Sequence, residues 1–200
     1  MKPYAHLDIP YKLITHRLQQ FVKSNDLVNE KSRSSFLTKF DTSTIHKAIP
    51  ELSDLFAQYG LDDILYVCII RAKRGIPVYP HRDVLPLEQQ LTGPKRVVAV
   101  NWPIFNCNNT FTAFYNEKPN IKNTSDGAKL LGSGIDYFKY DLDQITETHR
   151  IKIEAPTAFR FDRIHAVIND TDQDRLTASF RFESNHWELF EENYGRSTNK

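Results

Sequence analysis

The chain has 200 residues, of which 40% are hydrophobic and 26% charged, so it is long enough to bury a core in one domain. Its 26 basic and 25 acidic residues leave a net charge of +1, which gives no electrostatic reason to expect a nucleic-acid or membrane partner. We find neither an apolar signal-peptide core nor a stretch near the roughly 18 apolar residues of a membrane span. With two cysteines, Cys68 and Cys107, a reducing, cytoplasmic setting is expected.

The first 63 residues are predicted to be mainly helical. Apolar residues repeat with helical spacing over residues 11–27 and again over residues 45–59. Pro50 near the start of the second segment and Gly60 at its end fit the usual asymmetry of helix ends. Residues 24–44 are rich in Ser, Thr and Lys, and they are predicted to form a loop that could act as an active-site flap.

The hydrophobic period changes at Ile64. The run from Ile64 to Ala72 is continuously apolar and β-branched, which is typical of a buried strand. Further strands are predicted at residues 76–83, 95–102, 110–115, 137–140, 148–153, 158–161, 165–168 and 175–183, with loops at 84–94 and 116–134 and a short helix after His186. Successive strands without helices between them exclude a doubly wound sheet and favour a sandwich or barrel. We therefore predict one domain, with a helical part at 1–63, a β core at 64–184 and a tail at 185–200.

Three residues have the chemistry of a metal site. Side chains alternate along a strand, so His81 and Asp83 project to the same side. His165 lies in a second short apolar segment that also has the pattern of a strand. Two imidazoles and a carboxylate on one face of an octahedron are the ligands of non-haem Fe(II) oxygenases, which keep positions open for substrate and O₂. An HxD pair alone is weak evidence, because His81 could equally be a surface residue beside Pro80.

The last predicted strand has one polar and one apolar face. Arg175, Thr177, Ser179 and Arg181 alternate with Leu176, Ala178, Phe180 and Phe182. The polar face is expected to point toward a cavity and the apolar face toward packing. A planar guanidinium is the best match for a carboxylate, so Arg175 is a candidate anion-binding residue. The alternative for Arg175 is a surface salt bridge with Asp172 or Asp174.

Asn101 is a further candidate, because it ends a strand face that is otherwise apolar. A lone amide in that position needs a hydrogen-bond partner. Contact with a cosubstrate or substrate would supply one, and so would an ordinary turn bond at Pro103.

The order of these residues resembles that in the 2-oxoglutarate- and Fe(II)-dependent dioxygenases, whose signature is HxD, a distal His, and an Arg about ten residues later. Residues 158–162, 165–169 and 175–177 more closely resemble the aspartyl/asparaginyl β-hydroxylase-like branch. The resemblance covers residues 76–183. Two features depart from that branch: Asp83 is present where some members lack the carboxylate, and Pro156-Thr157 replaces a commoner Pro-Gly.

The resemblance implies a fold, a reaction and a ligand set. The fold is a mainly β double-stranded β-helix, jelly-roll or cupin-like, with the N-terminal helices packed on its outside. His81, Asp83 and His165 would hold the catalytic Fe(II). Arg175, Thr177 and Asn101 would contact the cosubstrate 2-oxoglutarate, with Arg175 on its distal carboxylate. With O₂, the enzyme would hydroxylate an unactivated C–H bond and release succinate and CO₂.

The substrate implied by the resemblance is a peptidyl Asp or Asn, and a free amino acid or another small metabolite is nearly as well supported. The polar stretches 24–44 and 116–134 would set specificity. Two alternatives come from other classes. A cupin-type metalloenzyme that does not use 2-oxoglutarate would keep the metal but would not need Arg175 in the pocket. A non-catalytic jelly-roll binding protein would need neither metal nor cavity.

Overall fold

The computed structural model describes residues 2–28, 37–76, 78–84, 97–118, 128–129 and 136–194. Four α-helices lie in these ranges: α1 (Lys12–Ser24), α2 (Thr42–Ala48), α3 (Glu51–Gln58) and α4 (Trp187–Tyr194). The strands are β1 (Tyr4–His6), β2 (Leu37–Asp41), β3 (Ile64–Ala72), β4 (His81–Val84), β5 (Val98–Phe105), β6 (Phe111–Glu117), β7 (Ala128–Lys129), β8 (Asp136–Lys139), β9 (Ile145–Ile151), β10 (Thr157–Arg160), β11 (Ile164–Ile168) and β12 (Arg175–Phe182). A 3₁₀ turn, Leu142–Gln144, precedes β9.

The strands form two six-stranded antiparallel sheets. The first sheet has the order β1-β10-β5-β12-β3-β2, and the second has the order β7-β8-β4-β11-β6-β9. The central strands of both sheets have neighbours far apart in sequence, since β12 lies between β3 and β5 while β11 lies between β4 and β6. This architecture confirms the predicted mainly β jelly-roll.

The helices cover the outer face of the first sheet, as predicted. Phe56 of α3 makes edge-on contacts with Trp102, Phe180 and Phe182, and the Trp102 indole N–H donates to the Thr15 hydroxyl of α1 at 2.8 Å. Large aromatic side chains bury more apolar area than any others, so this layer stabilises the fold strongly. This packing also shows which face of the first sheet is inward. Because Phe180 and Trp102 face the helices, their neighbours Ser179 and Asn101 must face the second sheet.

The N-terminal part is less helical than its composition predicts. Residues 37–41, predicted as loop, form β2, which pairs with β3 at the edge of the first sheet, where polar side chains such as Lys39 are well tolerated. The single helix predicted over residues 45–59 is two helices, α2 and α3. The Asp41 carboxylate accepts the Thr44 N–H at 2.7 Å, so α2 begins at Thr42, earlier than predicted. Pro50, which lacks an N–H, interrupts the helix and lies at the start of α3.

Other element predictions differ at their ends. Strand β3 matches its predicted bounds, whereas β4 is shorter than predicted and starts directly after Pro80. Exposed large apolar side chains among the described residues include Leu13, at 56%, and Tyr79, at 58%. Residues 29–36, 85–96, 119–127 and 130–135, which include most of the predicted loops, lie outside the described residues. Within the described ranges, no helix is both long and apolar enough to cross a membrane.

Candidate metal centre

His81, Asp83 and His165 come together between the two sheets. Strands β4 and β11 are antiparallel neighbours, and His81 lies directly opposite His165. The centroids of the two imidazole rings are 4.5 Å apart, and Nε2 of His81 lies 3.5 Å from Oδ1 of Asp83. One possible ligand atom from each residue lies within 4.8 Å of the other two. Residues far apart in sequence therefore form one cluster with the donor atoms of a metal site.

Backbone hydrogen bonds orient both imidazoles. Nδ1 of His81 lies 2.8 Å from the Tyr79 carbonyl oxygen, and Nδ1 of His165 lies 2.8 Å from the Arg163 carbonyl oxygen. A carbonyl oxygen can only accept, so each Nδ1 carries a proton, and in a neutral imidazole with that tautomer the lone pair is on Nε2. Metal-binding histidines are typically held by such a bond from the second ring nitrogen.

The protonation states suit cation binding. Burial, and then the neighbouring His81, lowers the pKa of His165 to about 4, so this imidazole is neutral at neutral pH. Burial disfavours the charge on Asp83, but the Arg181 guanidinium and the imidazoles outweigh it and hold the pKa of Asp83 below its ordinary value. A neutral imidazole beside an ionised carboxylate is the form that binds a divalent metal.

Arg181 belongs to this cluster, although sequence analysis assigned it no role. Its NH2 group donates to Oδ2 of Asp83 at 3.0 Å, and its guanidinium lies 4.2 Å from the centroid of the Phe161 ring. The side chains of Arg181 and Asp83 are only 8% and 11% exposed. The signal that could have found it is the alternation of β12, which puts Arg181 on the same face as Arg175.

Arg175 lies on the same inward face, but its surroundings differ from those of Arg181. It is 3% exposed, and its guanidinium donates to the Phe111 carbonyl and the Thr112 hydroxyl, both at 3.1 Å. Among the described residues, no carboxylate lies within ion-pair distance of it, and burial lowers the pKa of Arg175. The alternative of a surface salt bridge is wrong, because Asp174 bonds the Arg74 backbone N–H and lies 3.7 Å from Nε of Arg71.

Other inward-facing polar atoms also lack partners. Oδ1 of Asn101, Oγ of Ser179 and Nε of Arg181 are buried and have no hydrogen-bond partner in the part of the chain that the structure describes. Asn101 lies opposite Ser179 in the pairing of β5 with β12. Thr177, two residues from Ser179 along the same face, is 3% exposed. Leaving a polar atom buried and unpaired costs about 1–3 kcal/mol, so such a group of atoms is typical of a ligand site.

Strand β6 contacts both Arg175 and the strand that carries His165. Thr112, which accepts a hydrogen bond from Arg175, is two residues from Phe114, and Phe114 lies opposite His165. Two residues along a strand span about 7 Å. Arg175, which belongs to the first sheet, therefore contacts the second sheet two residues along β6 from the position opposite His165.

No protein-family model matches the sequence, and no curated protein matches it either. Solved structures do. HygX from Streptomyces hygroscopicus with nickel and 2-oxoglutarate bound matches with a TM-score of 0.53 and 12% identity, covering 92% of this chain and 83% of HygX. The iron-bound form of HygX matches at 0.50 and 11%, covering 92% and 82%. A Pseudomonas putida prolyl-4-hydroxylase matches at 0.43 and 13%, covering 92% and 93%. The likeness to HygX supports the jelly-roll fold.

Proposed function

We propose that this protein is a 2-oxoglutarate- and Fe(II)-dependent oxygenase. The observation that carries the proposal is the combination, in one interior, of a His-Asp-His cluster and a buried guanidinium that no carboxylate of the described residues pairs with. Either feature alone occurs in many folds. Together they supply what binding a metal and a chelating dicarboxylate requires, a set of metal ligands and a distant cation.

The donor set of the cluster fits Fe(II). His81 and His165 would each contribute Nε2, and Asp83 would contribute Oδ1. Ligand atoms about 2 Å from one ion lie about 3–4 Å apart, so the three side chains, now within 4.8 Å of one another, would move slightly together. With 2-oxoglutarate and O₂, the bound iron would supply oxidation of a C–H bond, with succinate and CO₂ as co-products.

The remaining inward-facing residues fit 2-oxoglutarate. Arg175 would bind its distal carboxylate, which would neutralise a buried charge that the described residues leave without an acid. Thr177 lies beside it on the same face and could donate its hydroxyl to the same carboxylate. Asn101 and Ser179 lie opposite each other on the paired strands β5 and β12, and their unpaired atoms would find hydrogen-bond partners in a bound ligand.

Aromatic side chains form an apolar wall beside the cluster. The rings of Phe114 and Phe159 lie 6.4 Å and 5.6 Å from the His165 ring, centroid to centroid. Both are buried in a small cluster that also contains Ala99 and Phe161. Such a wall excludes water from one side of the site, which strengthens the electrostatic interactions inside it.

The reaction is proposed to be hydroxylation of a peptidyl Asp or Asn, or of an amino-acid-like small molecule. Support for this substrate class comes from the resemblance of residues 158–162, 165–169 and 175–177 to the aspartyl/asparaginyl β-hydroxylase-like branch. None of the solved structures named above belongs to that branch, so the assignment stays a prediction.

The test is substrate-stimulated turnover. Purified protein with Fe(II), ascorbate and 2-oxoglutarate should consume O₂ and release succinate, and a panel of Asp- and Asn-containing peptides and free amino acids should raise the rate. The Arg175→Met variant is the control for cosubstrate use. O₂ consumption that does not depend on 2-oxoglutarate would favour the cupin-type alternative. Failure to bind Mn(II) or Co(II) would favour a non-catalytic binding protein.

A further inference from the structure

The two carboxylate oxygens of Asp83 have different partners. Oδ1 lies 3.5 Å from Nε2 of His81, the ring nitrogen that does not bond the Tyr79 carbonyl. Oδ2 accepts a hydrogen bond from NH2 of Arg181 at 3.0 Å. One oxygen therefore faces the candidate metal ligands, while the other is already occupied by a buried guanidinium.

Phe161 anchors both members of this pair. Its carbonyl oxygen accepts the backbone N–H of Asp83 at 3.2 Å, and its ring lies 4.2 Å from the Arg181 guanidinium. A guanidinium over an aromatic face is held by cation–π attraction, which is stronger where water is excluded. Arg181 and Asp83 thus have a common support in Phe161, which is itself 5% exposed.

We propose that Arg181 is a positioning residue that makes Asp83 a one-oxygen metal ligand. By holding Oδ2, Arg181 prevents the carboxylate from turning to offer both oxygens to a cation, so an additional coordination position stays open for a small ligand. This inference rests on the proposed metal site, and it assigns to Arg181 a role in metal binding rather than in contact with substrate.

A matched control lies in the neighbouring strand. Arg71 of β3 is also buried, at 5% exposed, and also lies near a carboxylate, with its Nε 3.7 Å from Asp174. It lies on the opposite face of the first sheet, because it is one residue out of phase with Ala72, which pairs with the inward-facing Arg175. Replacing Arg71 by lysine perturbs a buried arginine without touching the metal ligands.

The experiment is a Mn(II) titration of the full chain, followed by electron paramagnetic resonance, with no cosubstrate or substrate present. Arg181→Lys keeps the positive charge but loses the planar fork. We expect its Mn(II) affinity to fall about 10- to 100-fold, as for other groups that orient metal ligands. Arg71→Lys should bind Mn(II) like the wild type.

The second readout is the rise in melting temperature that saturating Mn(II) produces. A purely structural ion pair would lower the melting temperature equally with and without Mn(II), leaving both the rise and the affinity unchanged, and that result would overturn the proposal. A positioning role should shrink the rise at fixed Mn(II), because metal stabilises the fold according to its affinity. If Arg181→Lys does not fold, Arg181→Gln, which keeps a planar N–H donor without the charge, is measured in the same way.

The outcomes separate this inference from the proposed function. Normal Mn(II) binding by both Arg181 variants would remove the role of Arg181 and leave the oxygenase proposal intact. Weakened binding in the variants, in a protein that forms no succinate from 2-oxoglutarate, would support Arg181 and refute the oxygenase. A wild-type protein that binds no Mn(II) would overturn both.

Discussion

Arg175 and Arg181 lie on the same face of β12 and are both buried, at 3% and 6% exposed, yet their surroundings differ. Arg181 is paired with the carboxylate of Asp83 and lies over an aromatic ring. Arg175 donates hydrogen bonds to a carbonyl and a hydroxyl, and the Cys107 thiol is a further polar neighbour. The positive charge of Arg181 is thus balanced by Asp83, whereas no carboxylate of the described residues balances the charge of Arg175.

The difference separates a supporting residue from a binding residue. Burying a charge costs several kcal/mol unless a counter-charge compensates it. Arg181 has its compensation within the fold, which is consistent with the proposed role of holding Asp83. Arg175 lacks it among the described residues, so the free energy of binding an anion is available there. Three changes at the candidate site test this contrast and a fourth, at Asp63, is a reference outside it; they follow from the largest expected effect to the smallest.

The largest effect is expected for Asp83→Ala, which would leave Arg181 as uncompensated as Arg175. Turnover should be abolished because a metal ligand is lost, and the free energy of unfolding should fall by about 3–5 kcal/mol because a buried ion pair loses one member. Urea denaturation measures the second effect. Asp162→Ala is the control. The side chains of Asp162 and its partner Arg160 are 31% and 23% exposed, so their ion pair should contribute about 1 kcal/mol or less. Equal losses in the two variants would contradict the contrast.

Arg175→Met should separate cosubstrate binding from metal binding. The 2-oxoglutarate concentration for half-maximal rate should rise about 100-fold, because a buried cation that pairs with the ligand is lost, while Mn(II) affinity stays within about twofold of wild type. Without ligand, the variant should be nearly as stable as wild type, since an apolar side chain replaces an uncompensated charge. Wild-type kinetics at low 2-oxoglutarate would show that Arg175 does not bind it.

Ser179→Ala tests the unpaired polar atoms between the two arginines. Its hydroxyl oxygen has no partner among the described residues, so its removal should leave the stability of the free protein nearly unchanged. Affinity for 2-oxoglutarate, measured by calorimetry with Mn(II) bound, should fall about 2- to 10-fold if the hydroxyl bonds the ligand. Thr110→Val offers a comparison outside this face, because that hydroxyl bonds the Asn106 carbonyl at 3.1 Å and should affect stability rather than affinity.

The smallest effect is expected for Asp63→Asn, which lies beside the residues that follow β12. Asp63 accepts the Ser184 N–H at 2.8 Å and lies 2.6 Å from Nε2 of His186. Burial works against its charge, but these two hydrogen bonds outweigh it and hold the pKa of Asp63 below 3.8.

A lowered carboxyl pKa stabilises the fold above the unfolded value and loses that contribution as the pH falls through the folded value. Asp63→Asn should therefore cost about 1 kcal/mol at neutral pH, and its difference from wild type should shrink in acid below pH 3.8. Thermal melts across pH measure this, and the binding of 2-oxoglutarate should not change. A pH-independent difference would show that the charge of Asp63 contributes nothing.

Strand patterns could be predicted wherever one face of a strand is buried. The alternation of β12 gave its two faces correctly, and the continuous apolar run of β3 gave that strand. Strand β2 was missed because an edge strand carries polar residues and so lacks a strong pattern. The break between α2 and α3 was missed because the apolar repeat continues on both sides of Pro50.

The sequence by itself determined which side chains share a face, and hence that His81 and Asp83, and likewise Arg175 and Arg181, project together. Only the tertiary structure decided which of these faces meet: Arg181 reaches Asp83 across 98 residues, whereas Arg175 meets a hydroxyl and a carbonyl. The physical reason is that alternation is a property of the local backbone, while contacts between sheets depend on strand order and register, which a local pattern does not encode.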